Sequence, residues 1–557
     1  MKKKGSILLL SLLLLLTTAC SNTSGTKESK KGENNSVSVE SKDPFAPLPE
    51  KVTINLAKSE GDINLNLPVG DTLTDNAWTR LIEEKLQADL NYVWTVKAGD
   101  PYTQKLKLSI ASNDIPDMFL VGFDEYLELV HNGMIEDLTE AYKGYASDGL
   151  KDLYTSDGGK ALETMEVDGK LYGLSSMGTI DNNTPMVWVR QDWLDKLNLE
   201  APTTLEQLKK VTKAFIEQDP DGNGKNDTVG IPGQSNFFNA DMLSFDAVFN
   251  KNKSFPGFWV KNENGDVVYG STTPETKEAL GTLRAMYAEG LLDKEFGAKK
   301  SDQAAQLIAS NKSGIFFGSW WAGWWPLTDS VKNDPNAVWR AYTLKDSEDG
   351  TYYAKQERPI GNILVVKKGF SNPEAAVKLL NWQVRMQYED QSIDPYNDAN
   401  PPVHDNALPI YIGLWRADEV LKLHELVVKI AAGETVDETT YDGPAYLIED
   451  AKKVAEQWKQ GEEWLSQNSD KYGEPFSRVI GVQPLVAEKN KERVYSEFYG
   501  KTKTMERKWV NLTKLEDTAF MQIVLGNKPL DYFDQFVEEW NKQGGSQITE
   551  EVREQLK

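Results

Sequence analysis

The chain has 557 residues, 85 acidic and 62 basic side chains, a formal net charge of −23, three histidines and one cysteine. So acidic a surface excludes nucleic acid as a partner, and a single thiol excludes an internal disulfide framework. The length suffices for two or three compact lobes.

Lys2, Lys3 and Lys4 precede an apolar run from Ile7 to Leu16, broken only by Ser11, and Thr17-Thr18-Ala19-Cys20 follows. The run is far shorter than the ~20 residues of a membrane-spanning helix, and its basic, apolar, small order predicts a secretory signal over residues 1–19. No later stretch reads as a membrane span. Cys20 sits directly after small residues and resembles a bacterial lipobox, with Thr17 where such a box usually carries Leu and Leu16 one step earlier. Lipidation of Cys20 would tether the protein to the outer face of the cell membrane. Residues 20–49 are rich in Ser, Asn, Lys, Glu and Gly and almost free of apolar residues before Phe45, which predicts a flexible tether.

From residue 50 onward, β-rich runs alternate with amphipathic stretches. Strands are predicted at Val52–Ala57, Asn91–Val96, Met118–Val121, Met186–Val189, Ile315–Phe317 and Ile363–Val366. Helical spacing predicts helices over Asn76–Ala88 and Tyr102–Ile110. Thr203 and Glu206 form a capping box for a helix running to about Glu217, and Pro373 is suited to the first turn of a helix whose apolar face carries Leu379, Leu380 and Val384. The alternation argues for α/β lobes.

The helix ending near Glu217 delivers the chain to Asp219-Pro-Asp221-Gly-Asn223-Gly224-Lys225-Asn-Asp227. Oxygen-bearing side chains stand at loop positions one, three, five and nine, Gly224 permits the turn, and Lys225 needs to contribute only its carbonyl. This is the chemistry of a hard cation, and a structural Ca2+ is expected on Asp219, Asp221, Asn223, Lys225, Asp227 and Thr228. Position twelve is Gly230 rather than a bidentate Glu, so a further oxygen must come from Thr228 or water.

After the apolar Ile315-Phe316-Phe317 comes Gly318-Ser-Trp320-Trp321-Ala-Gly323-Trp324-Trp325-Pro326. An indole has a wide apolar face that matches the C–H face of a pyranose, and its N–H is a polar handle, so Trp320, Trp321, Trp324 and Trp325 are candidate sugar platforms. Core packing is the competing role for each. Trp78, Trp188, Trp259, Trp415 and Tyr396 are further candidates, and Arg190, Arg340 and Arg358 could pair with an acidic sugar or make structural ion pairs. His131, His404 and His424 have no metal-ligand spacing, and no nucleophile elbow precedes a helix.

The segments Lys105–Asp117, Val167–Leu174, Trp188–Leu199 with Pro202-Thr-Thr204, the loop at Asp219, Gly526–Pro529 and Trp540–Gly545 together resemble the extracellular solute-binding proteins of family 1, in particular the long lipoprotein branch of Gram-positive bacteria. The resemblance covers nearly the whole mature chain. It implies a periplasmic-binding-protein-like fold of two α/β lobes joined by hinge strands, with a ligand cleft between them. Lobe 1 would hold roughly 50–180 plus part of 315–365, and lobe 2 roughly 181–314 plus much of 366–557. It further implies a monomeric, non-enzymatic binding protein that captures an oligosaccharide and delivers it to ABC transporter permease subunits. The calcium loop would be structural and distant from the sugar, with Thr228 where that loop often has an acidic residue. A carrier of peptide or other solute and a glycoside hydrolase or lyase remain the alternatives, because abundant Asp and Glu would serve the latter as well.

Overall fold

The computed structural model describes residues 42–556 except 62–63, 347–348, 358–359, 438–440 and 442. The predicted signal, Cys20, the tether up to residue 41 and Arg358 lie outside the described residues. Among those described, no helix is long and apolar enough to cross a membrane.

The first lobe is organised by a five-stranded sheet in the order Ala88–Lys97, Val52–Glu60, Met118–Val121, Ile360–Val366, Leu174–Met177. The first three strands run parallel and the last two complete the sheet in antiparallel pairing, Ile363 facing Val121 and Leu364 facing Leu174. Each parallel step is bridged by a helix. Ala77–Leu86 starts at Asn76, whose side chain accepts from the Thr79 N–H at 3.1 Å while Thr79 accepts from the Asn76 N–H at 2.8 Å, a reciprocal cap. Asp100–Ala111 bridges the second step.

Residues 42–49 correct the predicted tether. Phe45 meets the edge of Trp382 at 5.1 Å, Leu48 is buried, and the Lys42 and Leu48 N–H groups donate to the carbonyls of Gly144 and Leu86, each at 2.9 Å. Two apolar side chains suffice to lay this stretch on the lobe despite its polar composition.

The second lobe is built around Ile315–Gly318, Met186–Arg190 and Trp339–Tyr342, antiparallel with the middle strand buried throughout. Period-two alternation sends Val187, Val189, Ile315 and Phe317 into one core cluster and Trp188, Phe316 and Trp339 into another, so this sheet is covered on both faces. On the first side packs the helix Leu205–Glu217, burying Leu208, Val211 and Phe215, each worth ~1.5–3 kcal/mol. Its cap lies one residue later than the sequence suggests. The Thr204 hydroxyl accepts from the Gln207 N–H at 3.4 Å, and Gln207 Oε1 reaches back to the Thr204 N–H at 3.1 Å. Likewise, Pro373 takes the cap position, ahead of Glu374–Val384.

The cores revise the lobe assignment. Ile315–Gly318 belongs to the second lobe, whereas residues 360–414 pack with the first, because Leu379, Leu380, Val384 and Leu408 are buried against its sheet. The chain therefore passes between lobes after Met177, after Lys355 and after Leu414. These passages are laced together: Met177 pairs in parallel with Leu414, and the Ile180 N–H donates to Ala417 O at 2.8 Å. The Asp181 N–H donates to Gln356 Oε1 at 2.9 Å. Beside them Tyr352–Lys355 and Lys491–Val494 form a parallel pair. The result is two α/β lobes on a three-segment hinge, with a cleft between them.

Candidate functional site

At the hinge the second lobe encloses a cavity of about 180 Å³, lined by Asn183, Asp241, Phe258, Lys355 and Glu357 among others. Asn183 and Glu357 come from two hinge passages, and the Asn183 amide donates to the Glu357 carboxylate at 2.9 Å. Lys355 ends its strand beside them. Its ammonium donates to Pro256 O at 2.8 Å and to Asn239 Oδ1, lies 4.0 Å from Asp246, and sits 4.5 Å from the centre of the Phe258 ring. Burial pulls the Lys355 pKa down against the opposing pull of Asp246, Glu516 and Glu357. Asp241 has no ion pair among the described residues. Desolvation, reinforced by Glu357 and Asp246, pushes its pKa up to about 6. Asp246 is fully engaged, accepting from the Ser244 hydroxyl at 2.7 Å and from the Asn239 and Ala240 N–H groups at 3.1 and 3.3 Å.

Phe258 also lines a neighbouring cavity of about 350 Å³ with Trp259, Phe498, Tyr499 and Trp509. Asp124 of the first lobe closes that cavity and stands 3.7 Å from Lys501 of the second. The cleft thus presents an aromatic face, carboxylate and amide acceptors and ammonium donors within one span, a surface suited to a ligand rich in hydroxyls.

The tryptophan-rich segment lies next to this cavity. The Ser319 hydroxyl donates to the Asp241 carbonyl at 2.9 Å, and a tight turn spans Trp320–Gly323. That turn nests on Ser477–Gly481 so closely that a Cβ on Gly481 would meet the Trp320 carbonyl oxygen at 1.9 Å. Trp320 is 5% exposed and meets Trp324 edge to face at 5.4 Å, Trp324 is 40% exposed, and Trp321 and Trp325 are partly buried against the same core. Trp415, on the third hinge passage, is 46% exposed.

Other candidates are structural in their contacts. Trp188 is fully buried, and its indole N–H donates to Ser319 O at 3.1 Å. Trp78 is buried in the first lobe, donates to Asp394 at 2.7 Å and packs edge to face on Tyr396 at 4.9 Å, while the Tyr396 hydroxyl donates to Asp71 and accepts from the Ala77 N–H. Neither Trp78 nor Trp188 has a free face for a sugar, which corrects the expectation for both. Arg190 forks onto Asp192 at 2.8 and 2.7 Å, and Arg340 onto Glu462 at 2.8 and 3.0 Å, so both are structural ion pairs. Phe258, Lys355 and Asp241 escaped the sequence reading; the one local signal was Pro256-Gly-Phe-Trp259, a glycine beside two aromatics.

In the acidic loop the Gly224 N–H donates to Asp219 Oδ2 at 3.0 Å, and the Asn223 amide donates to Asp221 at 2.6 Å and Asp227 at 3.1 Å. The Asp219 pKa is lowered, by Asp221 first and then by the Gly224 and Asn223 N–H groups, while that of Asp221 is raised, by desolvation and then by Asp219. Asp219 Oδ1 and the buried Thr228 hydroxyl have no protein partner among the described residues. Among those residues, no three His, Cys, Asp or Glu side chains converge as a ready-made metal cluster.

The chain is 23% identical over 486 residues to the polygalacturonan/rhamnogalacturonan-binding protein YtcQ of Bacillus subtilis, covering 86% of this chain and 87% of that one. Two solved structures share the fold. An HMO-binding, ABC-transporter-associated solute-binding protein of Bifidobacterium longum infantis has a TM-score of 0.58 at 16% identity, covering 91% of this chain and 98% of that one. An EF-hand mutant of the Streptococcus pneumoniae protein FusA, in complex with fructo-nystose, has a TM-score of 0.52 at 17% identity, covering 91% and 99%. Residues 70–389, more than half of the chain, match the family described as bacterial extracellular solute-binding protein, and the chain belongs to that family.

Proposed function

We propose that the protein captures an oligosaccharide outside the cell and hands it to the permease subunits of an ABC importer. The observation that carries this reading is the hinge-side cavity, where the Phe258 ring, the Lys355 ammonium and the Asp241 and Glu357 carboxylates face one space. An aromatic face accepts the C–H side of a sugar ring and the polar groups bond its hydroxyls. Trp415, on the third hinge passage, and Trp324 are both exposed and would extend the platform, with Trp320, Trp321 and Trp325 supporting it. Sugar bound to one lobe stabilises the closed form through added contacts with the other, and the permease reads that closed state. The oligosaccharide and polysaccharide ligands named for the relatives support the same class.

Binding without turnover fits the family. Cys20 would carry the lipid anchor, and the protein would act as a monomer on the outer face of the membrane. A structural Ca2+ fits the acidic loop: among the described residues, Asp219 Oδ1 and the Thr228 hydroxyl are covered oxygens without partners. Asp219, Asp221, Asn223, Asp227, Thr228 and the Lys225 carbonyl would hold the ion. When bound, it would neutralise those carboxylates and brace the exit of the helix Leu205–Glu217.

Titration calorimetry of the full-length protein against neutral and acidic oligosaccharides and a peptide pool tests the reading, with an assay for new reducing ends alongside. Saturable sugar binding without new ends supports it. Binding of peptides alone favours the peptide carrier, and release of reducing ends the glycoside hydrolase; either result overturns it.

A further inference from the structure

Arg478 is a largely enclosed cation whose guanidinium finds no hydrogen-bond acceptor among the described residues. Its guanidinium carbon lies 4.8 Å from the centre of the Trp320 ring and 5.7 Å from that of Trp324. Its Nε and Nη1 are covered and find no acceptor among the described residues. The indole N–H of Trp320, itself 5% exposed, is equally without a partner. The backbone holding this group is firmly set: the Arg478 carbonyl lies 2.8 Å from the His424 ring, and the glycine contacts of the Trp320 turn leave no room for sliding.

Three carboxylates, Glu419, Glu474 and Asp450, act on Arg478 electrostatically without bonding it, and burial pulls its pKa down. The nearest in effect, Glu419, is engaged with the Tyr446 hydroxyl at 3.1 Å. Donors left in this state are unfavourable unless an acceptor arrives. Arg190 and Arg340 show what the same side chain does here when it is structural, each forking onto a carboxylate. Arg478 instead lies beside two indoles, one of them 40% exposed, that follow Ser319, whose hydroxyl is tied to the Asp241 carbonyl.

We infer that Arg478 and Trp320 read a carboxylate of the ligand, so that the bound oligosaccharide carries a uronate whose ring stacks by Trp324. A guanidinium gives charge-assisted hydrogen bonds to a carboxylate, the Trp320 and Trp324 rings lie within cation–π distance of it, and a neutral sugar cannot repay the covered charge. The cavity at Phe258 carries three carboxylates, Asp241, Asp246 and Glu357, against one ammonium, Lys355, so its net negative charge suits hydroxyls better than an acidic group and leaves that group to Arg478. This inference rests on the sugar-binding reading and sharpens it.

The test is calorimetric titration of the full-length protein with trigalacturonate, its fully methyl-esterified form, a neutral trisaccharide and an acidic tripeptide. The wild-type protein is expected to bind trigalacturonate at least tenfold more tightly than the ester, with an advantage that shrinks as salt is raised. Arg478→Gln is expected to abolish that preference, so that trigalacturonate and its ester bind alike, and Arg478→Lys to restore part of it. Equal binding of acid and ester by the wild-type protein, a comparison that needs no variant, overturns the assignment of Arg478 while the sugar-binding reading stands. If the tripeptide alone binds, or no sugar does, both fall.

Discussion

The Lys355 ammonium lies 4.5 Å from the centre of the Phe258 ring while its hydrogen bond to Pro256 O, at 2.8 Å, ties it to the segment that carries that ring. Ring and cation are thus held as one unit at the floor of the cleft. Phe258→Ala is expected to weaken oligosaccharide binding by about tenfold, roughly 1.4 kcal/mol, with little change in melting temperature because the ring is partly exposed. Phe258→Tyr should retain binding. An affinity of Phe258→Ala within twofold of wild type would remove the ring from the site.

Glu516 gives a prediction for stability against pH. It is buried in the second lobe, accepting from the Tyr269 hydroxyl at 2.9 Å and the Ser271 hydroxyl at 2.6 Å, and burial lifts its pKa to about 7 against the opposing effect of those bonds. A raised carboxyl pKa means that the folded state keeps its proton longer than the unfolded chain. This group's contribution therefore declines as pH rises from about 4.3 to about 7 and is constant above. Glu516→Gln should be more stable than wild type at pH 8 by on the order of 2–3 kcal/mol, the gap closing by pH 4, as read by urea denaturation.

Asp181 carries the opposite sign. Fully buried at the hinge, it accepts from Lys491 at 2.7 Å and from Arg493 at 2.7 and 3.0 Å. Desolvation, which raises its pKa, is outweighed by those cations, and the net pKa is lowered. The stability it provides is present above about pH 4 and lost as pH falls through its depressed folded value. Asp181→Asn strands two cations and should cost about 3 kcal/mol at pH 7, with a smaller difference in strong acid.

Calcium is expected to raise the melting temperature and a chelator to lower it, through the loop at Asp219. Asp219→Asn and Asp221→Asn should abolish both shifts while leaving sugar affinity unchanged, because the loop contributes nothing to the cleft cavities at Asp241 and Asp124. A sugar affinity that follows calcium would contradict that separation.

The six predicted strands, the helices near Ala77, Asp100 and Leu205 and the acidic loop were legible in the sequence, because each rests on periodicity, capping or turn chemistry within a dozen residues. The resemblance supplied the two lobes and the hinge. Less legible was where a polar stretch stops being free: Phe45 and Leu48 are held by Trp382 and Leu86, far away in the chain.

What a residue type and its neighbours dictate, the sequence determined alone: which segments form strands and helices, which loop can gather oxygens, and that tryptophans crowd one turn. Only the tertiary structure decided which tryptophans keep a free face. Trp188 and Trp324 are the same side chain, yet one is sealed between Phe316 and Phe476 and the other is 40% exposed. The same holds for charge. Arg190, Arg340 and Arg478 are indistinguishable in one dimension, and only the folded chain shows that the first two have carboxylates to fork onto while the third has none among the described residues. Burial and pairing depend on contacts between segments hundreds of residues apart, and periodicity within a segment carries no information about them.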